Sequence, residues 1–75
     1  MFALIKLRTD DYPEQMVAEV KTAATKQELI DYFEREHARD YDDGDGAAAL
    51  IQQLTFDDHV EAGEDRVFVI REVTP

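Results

Sequence analysis

Met16-Val-Ala-Glu-Val-Lys-Thr22 is the stretch on which the fold turns. Taken with period two, it puts Met16, Ala18 and Val20 on one face of a strand. Taken with period 3.6, it puts Met16, Val17, Val20 and Ala24 on a helical stripe that Asp11 and Glu14 would cap. The strand is the better reading, because a new helix start follows at Thr25 and a strand here can pair with an earlier one through a short connection.

That earlier strand is Phe2-Ala-Leu-Ile-Lys-Leu-Arg8, with Ala3, Ile5 and Leu7 on one face and Phe2, Leu4, Lys6 and Arg8 on the other. Thr9 to Gln15, with its Asp and Pro punctuation, is the connection. On the other side, Thr25-Lys-Gln-Glu28 fits a capping box, in which the Thr hydroxyl accepts a first-turn amide and the Glu reaches back to the Thr amide. Leu29, Ile30, Phe33 and His37 follow at helical spacing and predict a helix to about residue 40. Ala47, Leu50, Ile51 and Leu54 predict a second, shorter helix, with Asp43 or Asp45 complementing its dipole. Thr55 to Asp65 reads as a polar connection, and Arg66-Val-Phe-Val-Ile-Arg-Glu-Val73 as the strongest strand. The fold class expected is therefore α+β: one domain over 1–75, a small single-layer antiparallel sheet in the order β-β-α-α-β, with two helices packed on one face.

Composition bounds the rest. Seventy-five residues leave room for a single core, and the absence of Cys excludes a disulfide framework, a Cys zinc site and a redox dithiol. No apolar run approaches the ~20 residues that span a bilayer, and the first eight residues are too short and wrongly flanked for a signal peptide, so a cytoplasmic address is expected. The formal net charge of −10 repels phosphate backbones and anionic lipid, so neither direct nucleic-acid nor membrane binding is expected.

The charge is unevenly placed. Residues 40–65 hold nine acids and no Lys or Arg. The candidate partner-binding residues are Asp40, Tyr41, Asp42, Asp43, Asp45, Asp57, Asp58, Glu61, Glu64 and Asp65. Such a stretch is a solvated surface, an adaptation to a salt-rich cytoplasm, or a docking surface for a basic partner. In the last case its carboxylates stand in for DNA phosphates and occupy the nucleic-acid-binding groove of another protein, inhibiting or regulating it. In size and charge alone the chain is similar to phage- or plasmid-encoded inhibitors.

A one-sided helix cover leaves the other sheet face either exposed or covered by the loops or the 12–24 segment. Phe2, Leu4, Val67 and Val69 are the residues expected there, and self-association through them into a homodimer is the alternative function, with acidity serving solubility.

Other chemistry is weakly signalled. Asp40 to Asp45 fail the EF-hand register: counted from Asp40, Gly44 falls at position 5 and Ile51 at position 12. Glu34-Arg-Glu-His37 is a single Glu-x-x-His where a di-iron bundle needs two, and His37 falls on the apolar stripe, where a hydrogen-bonded core-edge histidine is the ordinary reading. Asp57-Asp58-His59 has acid and base groups but no nucleophile elbow or phosphate loop beside it. No enzyme, metal or cofactor is expected.

Overall fold

The computed structural model describes residues 1–8, 16–41, 46–63 and 66–73. Four strands, β1 (Phe2–Arg8), β2 (Met16–Ala23), β3 (His59–Ala62) and β4 (Arg66–Glu72), form one antiparallel sheet in the order β2-β1-β4-β3. Two helices, α1 (Lys26–Glu36) and α2 (Gly46–Asp57), cover one face, and a 3-10 helix over Ala38–Tyr41 follows α1.

Met16–Ala23 is a strand throughout, so the β-β-α-α-β order stands, with one strand added. The addition lies in the expected polar connection: Thr55 to Asp57 complete α2, and His59–Ala62 form an edge strand whose Val60 and Ala62 are buried while His59 and Glu61 face out. With only two apolar side chains among acids, β3 carries too little alternation to be seen locally, and pairing with β4 supplies what it lacks. α1 stops at Glu36 instead of near residue 40. The His37 amide still donates to the Phe33 carbonyl at 2.9 Å, and the chain then tightens into the 3-10 helix. At the other end Thr25 Oγ1 accepts the Glu28 amide at 3.3 Å, the hydroxyl half of the capping box expected from the sequence.

The core lies between the sheet and the helices. Leu29, Ile30 and Phe33 of α1 and Leu54 of α2 pack on Leu4, Val60, Ala62, Phe68 and Ile70, with Phe2, Ala23 and Tyr41 at its margin. Each large side chain fully buried there stabilises the fold by roughly 1.5–3 kcal/mol. Phe33 and Phe68 meet edge to face with centroids 4.9 Å apart.

Register decides which strand residues reach this core. Leu4 pairs with Ile70 and Lys6 with Phe68, so the even positions of β1 and β4 face the helices. The expected open-face set is therefore corrected: Leu4 is core at 2% exposure and Phe2 packs against the core, whereas Val67 and Val69 do lie on the open face, beside Leu7 and Ile5. On the edge, Lys6 pairs with Glu19 but Leu7 with Val17, which makes Ala18 the extra residue of a β-bulge. The bulge puts Val17 and Val20, three apart, on the same open face, instead of the Met16, Ala18 and Val20 set that strict alternation predicts.

Candidate functional site

The acidic stretch does not map to one place. Asp42, Asp43, Asp45, Glu64 and Asp65 lie outside the described residues. Of the others, Asp40 is exposed in the 3-10 helix that precedes α2, and Asp57 and Asp58 are exposed at the C-terminal end of α2, a helix about 18 Å long by its rise. Asp58 is ion-paired with Lys26, whose ammonium also donates to the Thr55 carbonyl at 2.6 Å. Glu61 projects from the edge strand on the open side of the sheet, level with Val67.

One contact draws the two ends of this stretch together. Tyr41, half-buried, lies edge to face on Phe68 at 6.0 Å, and its ring lies against Gly63: a Cβ placed on Gly63 would meet Tyr41 Cε1 at 3.4 Å. Gly63 has φ +67°, the left-handed region that favours glycine. Tyr41 thus joins the 3-10 helix to the end of β3.

A second polar cluster, not anticipated as a unit, sits where β2 meets α1. Glu19 Oε1 accepts the Tyr32 hydroxyl at 2.5 Å and lies 3.2 Å from His37 Nε2. The Tyr32 bond, with His37 adding to it, holds the Glu19 carboxyl below its ordinary value of 4.5, and the same bond pushes the Tyr32 phenol up to about 12. His37, 6% exposed, is ringed by Tyr32, Phe33 and Phe68 with centroids 5.5, 6.2 and 5.0 Å away. It is the core-edge histidine that its place on the apolar stripe implied, bonded to a carboxylate from another element. The period-two alternation of β2 was the signal that would have found Glu19, since it sets Glu19 on a different face from Val20.

The sheet face that no element among the described residues covers, the open face, is the third feature. Two cross-strand rows, Val20-Ile5-Val69 and Val17-Leu7-Val67, run across β2, β1 and β4. Val17 and Val20 are 61% and 55% exposed. Lys6, Glu19 and Lys21 lie on the helix side, with Lys6 over the Phe68 ring and Lys21 over the Tyr32 ring.

Among the described residues, no helix is long and apolar enough to cross a membrane, and no group of three or more His, Asp and Glu side chains is placed to hold a metal ion. Compared with the models of known protein families, with curated proteins and with solved structures, the chain finds no match in any of the three.

Proposed function

We propose that the chain is a non-enzymatic binding module of the cytoplasm, whose acidic end docks on a basic, nucleic-acid-binding surface of another protein and inhibits or regulates it. The observation that carries this reading is the run of nine acids without Lys or Arg over residues 40–65, of which Asp40, Asp57, Asp58 and Glu61 are exposed. An acid-rich stretch without cations steers a cationic partner and competes with the phosphates it would otherwise hold. Asp57, Asp58 and Glu61 contribute less, being at the far end of α2, ion-paired, or on the open sheet face.

The test is capture of basic proteins from lysate by the immobilised chain, followed by elution with duplex DNA. Wild type is compared with Asp42→Lys/Asp43→Lys/Asp45→Lys and with Asp57→Lys as a control at the other end. The expected result is a partner displaced by DNA and by added salt, lost on the triple reversal and kept by the control. Equal capture by the triple variant, or a partner that DNA does not displace, rejects the reading.

A further inference from the structure

We propose that the open sheet face is covered by a second copy of this chain, the two sheets stacking back to back across a two-fold axis. The proposal does not depend on the acidic docking surface. The rows Val20-Ile5-Val69 and Val17-Leu7-Val67 make a three-strand apolar block from which the charges of β1 and β2 are turned away toward the helices. In this block Val17 and Val20 are exposed and Ile5, Leu7, Val67 and Val69 half-buried, and an apolar patch of this kind on a small protein marks an interaction surface. The molecule is a slab 19 Å thick with a broad outline of 33 × 31 Å, the depth of one sheet and one helix layer.

The charges on the same face select the occupant and the mode. Arg71 pairs with Ala3 at one end of β4, and Glu61 pairs with Val67 at the other end, so both side chains fall on the open side of the sheet. A two-fold axis perpendicular to the strands exchanges these ends and keeps the strand order. It lays Arg71 of each copy over the Val67 and Glu61 corner of the other, giving two symmetric ion pairs around the apolar block. The strands then stack nearly aligned, as in face-to-face sheets generally.

Each copy carries −10, so long-range repulsion opposes pairing while apolar burial drives it. Added salt screens the repulsion and strengthens the dimer, the opposite of its effect on acidic docking. The two proposals can therefore fail separately.

The experiment is sedimentation equilibrium over protein concentrations up to millimolar, at low and high salt. The wild-type mass is expected to be twice the 8.6 kDa of the chain, with tighter association at high salt. Val17→Lys/Val20→Lys replaces two exposed edge-strand side chains, so the fold survives, as an unchanged circular dichroism spectrum will verify. This variant changes the net charge from −10 to −8, so long-range repulsion between copies does not rise. Phe56→Asp, at a 74% exposed position on α2, is expected to leave the dimer intact. Arg71→Glu is expected to weaken association and Arg71→Glu with Glu61→Arg to restore it. A monomeric wild type overturns the proposal and leaves the face to a different protein. A dimer that survives Val17→Lys/Val20→Lys, or is broken by Phe56→Asp, places the contact elsewhere. Indifference to the charge swap overturns the two-fold arrangement.

Discussion

Glu19 and His37, eighteen residues apart, are joined across the boundary between sheet and helix, with His37 Nε2 3.2 Å from Glu19 Oε1. The same oxygen accepts the Tyr32 hydroxyl, so one half-exposed carboxylate on an edge strand holds two side chains at the C-terminal half of α1. The junction between β2 and α1 is thereby fixed by polar bonds where the apolar core thins out.

This junction makes the stability depend on pH in two windows. Glu19 has a lowered value in the fold, so its contribution is present above the ordinary 4.5 and is lost as the pH falls through the folded-state value. Tyr32 has a raised value, so its contribution is present below 10.0 and is lost as the pH rises through about 12. In urea unfolding followed by circular dichroism, the stability gap between wild type and Glu19→Gln should be widest at neutral pH and should narrow on acidification below about 4.5. In an absorbance titration of tyrosinate, Tyr32→Phe should remove the group that ionises near 12, and Glu19→Gln should return it toward 10.0.

Phe33 and Phe68 are both fully buried and stack edge to face, α1 against β4. Truncation of either to Ala is expected to cost about 3–5 kcal/mol, comparable to the whole stability of a small domain. Far-UV circular dichroism should show a chain unfolded or nearly so at room temperature, whereas Phe56→Ala, on the exposed side of α2, should leave the urea midpoint almost unchanged.

Thr25 caps α1 through its hydroxyl. Thr25→Ala should lower the unfolding free energy by about 1 kcal/mol, and Thr25→Ser should retain most of it. Equal urea midpoints for the Ala and Ser variants would show that the hydroxyl contributes nothing.

Asp58 has φ +62°, imposed from both sides: its amide donates to the Leu54 carbonyl at 3.1 Å and its carbonyl accepts the Ile70 amide at 2.8 Å. The order of stability expected at this position is Gly, then Asn, then Ala, with Ala about 1 kcal/mol below Gly. The exposed pair with Lys26 is worth under about 1 kcal/mol, so Asn should stay close to wild type in the same unfolding assay. At Gly63, where φ is +67° and the Tyr41 ring stands against the missing Cβ, Gly63→Ala should cost about 1–2 kcal/mol.

From the amino-acid order alone, the strand at Met16–Ala23, the capped helix from Lys26 and the strand at Arg66–Glu72 were all legible. Their signals are local: β-branched side chains, a cap at Thr25, and apolar spacing within a few turns. The acid-rich, cation-free stretch over 40–65 was equally plain, since counting charges requires no geometry. Tertiary structure decided everything that depends on pairing across distance. Whether Leu4 or Ile5 meets the core follows from its register against Ile70 and Val69, more than sixty residues away, and a shift of one position exchanges the two faces. The bulge at Ala18 and the four-residue strand β3 exist because neighbouring strands complete them. The same long-range pairing brings Tyr41 to Gly63, because spatial proximity depends on how the chain returns and not on how its residues are counted.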